Sequence, residues 1–198
     1  MKKLLLLAPI LLYATTLFAQ STGTSVSSPK NIGPMTVAVG DSMRKTNDII
    51  QNIALTKDLS VFYSFIKATN FAETYKSKGP ITIFVPVNEA FAILPASKID
   101  SLNKPAHFWE LTGLIANHAI AGSLTARDIE KQINGHKGLA TFITLAGSKL
   151  TAKIDANRNI VLIDETGGES ILDRFDIKQS NGMLHVVNHV LVPKVRVI

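Results

Sequence analysis

Apolar and polar positions alternate with two periods along this chain, helical in its first half and strand-like in its second. Ile49, Ile50, Ile53 and Ala54 recur at helical spacing, with Asn47 or Asp48 placed as an N-cap. The stretch LSVFYSFIKATNFAETY carries Val61, Phe62, Phe65, Ile66 and Ala68 on one stripe, and Gly79-Pro80 breaks it. ITIFVP is rich in β-branched residues and closed by Pro86, which predicts a buried strand that cannot be extended. Asn88 is placed to cap a short helix that Pro95 stops, and residues 105–116 predict a helix with Pro105 in its first turn. Thr125 heads another helix, marked by Ile129 and Ile133. Beyond Gly138 come five short strand patterns, ATFITL, KLTAKID, NIVLID, RFDIKQ and MLHVVNHVLV, separated by turn residues; Asn181-Gly182 is the strongest hairpin signal among them. The pattern predicts an α+β domain over 46–195, with helices first and antiparallel strands after.

The first residues follow another logic. Lys2 and Lys3 precede LLLLAPILLYATTLF, and Ala19 then gives way to a polar run. That layout predicts a signal peptide over 1–19, the alternative being an uncleaved anchor. Residues 20–45 predict a flexible tether and edge segment. No later apolar stretch is long enough to span a bilayer, so no membrane span is expected after signal removal. The chain has no cysteine, which rules out disulfides and a lipobox-type anchor. Of its 21 basic residues, Lys2 and Lys3 leave with the leader, and the remaining 19 face 15 acidic ones. They are scattered, which speaks against a nucleic-acid partner. GHKG at 135–138 is read as a helix-ending loop rather than an RNA clamp.

His185 and His189 stand four apart, a metal-binding spacing on a helix. On the expected strand they lie about 13 Å apart, too far for one ion whose ligands sit about 2 Å away. No metal and no cofactor is therefore expected. No nucleophile elbow, zinc-protease run, P-loop or dinucleotide fingerprint occurs, and Asp155, Asp164 and Glu165 stand at strand ends in no recognisable catalytic pairing. An enzyme is not expected. His118 and His185 are read as core residues bonding buried groups, and Trp109 as a packing anchor.

Two long stretches, GPITIFVPVNEAFAIL (79–94) and FDIKQSNGMLHVVNHVLVPK (175–194), resemble the signature segments of the fasciclin domain. LIANHAIAG (114–122) falls where that family has a Tyr-His pair, with His118 matching the histidine and Asn117 in place of the tyrosine. The matching signature positions are Pro86, Asn88, His118, Asn181, Gly182 and His185. The resemblance implies a β-wedge of short antiparallel strands with helices along one edge. It implies a secreted or cell-envelope, periplasmic or extracellular, adhesion module that contacts a surface protein or polysaccharide. Asp176-Ile177, at the position of an integrin-binding Asp-Ile pair in animal members, is the first candidate contact, and Asn117-His118 the second. The alternative is an envelope carrier with a pocket for a small or lipidic ligand.

Overall fold

The computed structural model describes residues 43–77 and 79–194, so the expected signal peptide and most of the tether lie outside the described residues. Among the described residues, seven α-helices and seven strands follow in chain order. Helix α1 (Ile49–Ala54) begins with a capping box, in which Asp48 accepts from the Gln51 N–H and the Gln51 side chain accepts from the Asp48 N–H. The long apolar stretch divides into α2 (Ser60–Ala68) and α3 (Phe71–Ser77). Asn70 turns left-handed there, and the Thr69 hydroxyl sits on the α2 carbonyls of Phe65 and Ile66.

Strand β1 (Ile81–Pro86) follows, then α4 (Asn88–Ala92), α5 (Ala96–Leu102), α6 (Phe108–Asn117), β2 (Ala119–Ala121) and α7 (Ala126–Gly135). Pro95 does more than stop a helix: it is the N-cap of α5, a helix absent from the sequence reading. Residues 105–107 form a 3-10 turn leading into α6. A Thr125–Asp128 capping box starts α7, and Lys137 and Gly138, both at positive φ, end the helix in the GHKG loop.

The remaining strands are β3 (Leu139–Ile143), β4 (Lys149–Ile154), β5 (Ile160–Ile163), β6 (Glu169–Gln179) and β7 (Gly182–Val187). The sheet order is β2-β1-β7-β6-β5-β4-β3. All neighbours are antiparallel except β1 and β7, which run parallel and make the sheet mixed. The β2 and β3 ends meet through an Ile120–Thr144 bridge and the Leu145 N–H on the Ala119 carbonyl at 2.8 Å, so the sheet nearly closes.

Strands β1 and β7 are buried at every position, because apolar layers cover both of their faces. Ile81, Ile83, Val85, Leu184 and Val186 face the helices, among Phe62, Phe65, Tyr75, Leu114 and Ile115. Phe84 and Val187 face the second layer, with Ile129, Ile133, Leu150 and Leu162. Period-two alternation thus divides one strand pair between two cores.

The Asn-Gly signal is real but serves another purpose. The turn between β6 and β7 is Ser180-Asn181, and Gly182 already pairs with Gln179 and with Ile81. A Cβ on Gly182 would stand 2.0 Å from the Ile81 carbonyl oxygen, so the close approach of β1 demands glycine. Strand β7 also ends earlier than expected, at Val187, leaving His189 outside it. The Asn188 side-chain carbonyl takes the Ile171 N–H at 2.8 Å, a donor that the next ladder step would otherwise have used.

Candidate functional site

The sequence-predicted residues fall into two junctions on either side of the β1–β7 pair. At the first, Asn117 and His118 end α6 and hold the backbone of Leu191. The Asn117 amide donates to the Leu191 carbonyl at 3.0 Å, and the Leu191 N–H donates to His118 Nε2 at 3.0 Å. His118 Nδ1 lies 2.8 Å from the Leu114 carbonyl; a carbonyl only accepts, so Nδ1 carries the proton and Nε2 accepts. The His118 ring lies 5.1 Å from that of Phe62, and both are fully buried. Burial drives the His118 pKa down from 6.5 to about 4. Asn117 is buried as well and accepts from the Thr144 hydroxyl at 3.2 Å. This pair straps the C-terminal segment to the core; it does not present a surface patch.

The second junction centres on a bulge in β6, where the register against β7 shifts between Leu172 and Ile177 and Asp176 adopts φ 61°. The bulge turns the Asp176 carboxylate onto the Ala126 N–H at the start of α7, at 2.6 Å. Its own N–H donates to His185 Nδ1 at 3.2 Å, and His185 Nε2 donates to the Leu124 carbonyl at 2.9 Å. His185 stacks on Phe84 at 5.6 Å, and burial lowers its pKa. Ile177 beside it is 8% exposed and packs in the helix-side core. The expected Asp176-Ile177 surface contact is therefore corrected: the bulge leaves Asp176 at the surface and sends Ile177 inward.

Two further signature residues act at long range. Asn88 does not cap its own helix α4; its Oδ1 accepts from the Val61 N–H in the first turn of α2, while its amide donates to the Lys57 carbonyl. Asn181 accepts from the Ile49 N–H and donates to the Tyr75 carbonyl, joining α1 and α3 to the hairpin. Pro86 ends β1 opposite Val187. The Asp164 carboxylate, without an evident partner in sequence, accepts from the Thr166, Gly168 and Val192 N–H groups. Among the described residues, no group of three or more His, Asp or Glu is placed to hold a metal ion.

A family model of the fasciclin domain matches residues 57–193. The chain belongs to the fasciclin-domain family. It is 28% identical over 145 residues to Protein sll1483 of a Synechocystis strain, an alignment covering 73% of each chain. It is 27% identical over 137 residues to human periostin, covering 69% of this chain and 15% of periostin. Among solved structures it resembles the FAS1 domain pair of the insect cell adhesion molecule fasciclin I, with a TM-score of 0.64 at 16% identity. That match covers 76% of this chain and 51% of the pair, and it speaks to the fold.

The surface of this fasciclin domain carries features that the sequence did not signal as functional. Trp109 is 80% exposed rather than a packing anchor, because it lies on the side of α6 opposite Leu111, Leu114 and Ile115. Leu139 and Ile143 share the outer face of β3 at 52% and 62% exposure. A polar chain also joins Ser101, His107 and Glu110. The spacing of His107 and Glu110, three apart at a helix start, is the one sequence trace of it. No helix among the described residues is long and apolar enough to cross a membrane.

Proposed function

We propose that this fasciclin domain is a secreted or envelope-associated adhesion module whose adhesive role rests on surface contact. Its contact surface is then the outer face of β3 and β4. The observation that carries this reading is the pairing on that face: Leu139 stands opposite Lys153 and Ile143 opposite Lys149, with Thr141 and Thr151 between them. Apolar groups beside the exposed Lys149 give a small desolvated contact together with attraction to acidic proteins or polysaccharides, Lys153 being paired with Glu169 at 2.6 Å. Asp176 remains at the surface beside the start of α7, but its carboxylate is committed to the Ala126 N–H, which makes it the weaker candidate.

The carrier alternative calls for an enclosed apolar cavity. Two grooves among the described residues, of about 420 and 500 Å³, open to solvent rather than enclosing a ligand, which supports adhesion over the carrier. Native mass spectrometry of protein purified from its source distinguishes the two. The adhesion reading expects the mass of the chain alone, and a small molecule retained one to one would replace it with the carrier.

A further inference from the structure

The Ser101–His107–Glu110 chain has the geometry of an activated serine. Ser101 sits in the last turn of α5, His107 ends the 3-10 turn, and Glu110 lies in the first turn of α6. The Ser101 hydroxyl is 3.0 Å from His107 Nε2, and Glu110 Oε2 is 2.8 Å from His107 Nδ1. An ionised carboxylate only accepts, so Nδ1 holds the proton and Nε2 is left to accept from the serine hydroxyl. Glu110 stays ionised because Lys98 bonds its other oxygen and His107 the first; both lower its pKa. The serine hydroxyl thus donates to the imidazole and the imidazole to the carboxylate, on which the Lys98 ammonium also converges. This is the order in which a serine is made nucleophilic, and such triads are recognised by geometry rather than by sequence position.

The serine also has somewhere to receive a substrate. Ser101 and Lys98 line a groove of about 500 Å³ whose apolar walls are Leu94, Pro95, Leu114 and Val192.

We propose that Ser101 is a nucleophile that accepts acyl groups from esters with an apolar acyl chain, an activity beyond adhesion and independent of it. The Ser101 oxygen attacks the ester carbonyl carbon, and its proton passes to His107 Nε2. Lys98, one turn before Ser101 on the same groove and bonded to Glu110, adds positive charge on the side where the oxyanion develops. The tetrahedral adduct collapses as the bond to the alcohol breaks, and His107 returns the proton to that alcohol. Water then attacks the acyl carbon and gives a proton to His107 Nε2; the second tetrahedral adduct breaks its bond to the Ser101 oxygen as His107 returns that proton to it, which releases the carboxylic acid and restores the serine. Glu110 acts as a positioning residue, holding the imidazole in the required tautomer.

The test uses the purified chain and a fluorophosphonate carrying an alkyl tail, with the labelled residue located by peptide mass spectrometry. Ser101 should be phosphonylated. His107→Gln should cut the labelling rate by tenfold or more while leaving the circular dichroism spectrum and thermal midpoint unchanged. Glu110→Gln should lower the rate less and alter its pH profile. An unlabelled Ser101 in the folded wild-type chain, or equal labelling of wild type and His107→Gln, would overturn the proposal.

Discussion

Asp176 donates its backbone N–H to His185 Nδ1 at 3.2 Å, and its carboxylate accepts the Ala126 N–H at 2.6 Å. One residue therefore fixes the tautomer of a buried histidine and fills a donor at the start of α7. This residue belongs to a motif that reads, in sequence, as a surface contact.

If that fastening is the main work of Asp176, its substitutions should rank by chemistry. Asp176→Asn keeps an acceptor and a side chain that tolerates φ 61°, and should cost under about 1 kcal/mol. Asp176→Ala loses the acceptor and keeps the strain, and should cost about 2 kcal/mol. Urea denaturation measures both, and equal costs would contradict the ranking.

Gly182 and Gly113 offer opposite outcomes for the same change. A Cβ on Gly182 meets the Ile81 carbonyl oxygen at 2.0 Å, so Gly182→Ala should destabilise by about 3 kcal/mol or prevent folding. Gly113 lies within α6 with open space around its Cα, so Gly113→Ala should stabilise by about 0.5–1 kcal/mol. Thermal midpoints of the two variants should shift in opposite directions.

The buried histidines predict a specific loss of stability in acid. Protonating His118 puts an N–H where the Leu191 N–H already donates, and protonating His185 does the same against Asp176. Both folded pKa values lie below the unfolded value, so the unfolded chain binds more protons as the pH falls. Their contribution is complete above pH 6.5 and is lost on descending towards about 4 for His118, which alone amounts to about 3 kcal/mol. Glu110, Asp128 and Asp155 are depressed from ordinary values of 4.5 and 3.8, so their losses begin below the upper part of that window. Unfolding free energy measured from pH 7 to 4.5 should therefore fall steadily. A flat profile would mean that neither histidine is held neutral.

Local chemistry was legible in the sequence; long-range partnership was not. The Asp48 and Thr125 caps, the closure of β1 by Pro86 and the end of α7 in GHKG are decided within a few residues, and each stands where the pattern puts it. Asn88, Asn181 and Gly182 drew notice as local turn and cap residues. Their partners are Val61, Ile49 and Ile81, which only the folded chain brings near. The parallel β1–β7 pairing escaped for the same reason, since nothing in either strand's own alternation states its partner. Trp109 and Ile177 exchange expectations because apolarity sets a preference for burial, while the turn of α6 and the bulge of β6 decide which way each side chain points.

Adhesion itself is tested most directly with beads coated with the fasciclin domain, compared with beads carrying a Leu139→Ser/Ile143→Ser variant, against bacterial and host surfaces. Both residues are exposed, so the variant should fold as the wild type does. Multivalent display gives weak single contacts measurable strength. Wild-type beads should attach and the variant beads should lose most of that attachment, with salt weakening the remainder through Lys149. Wild-type beads that attach to no surface tested would contradict the account, and equal attachment by both bead types would remove the contact from β3.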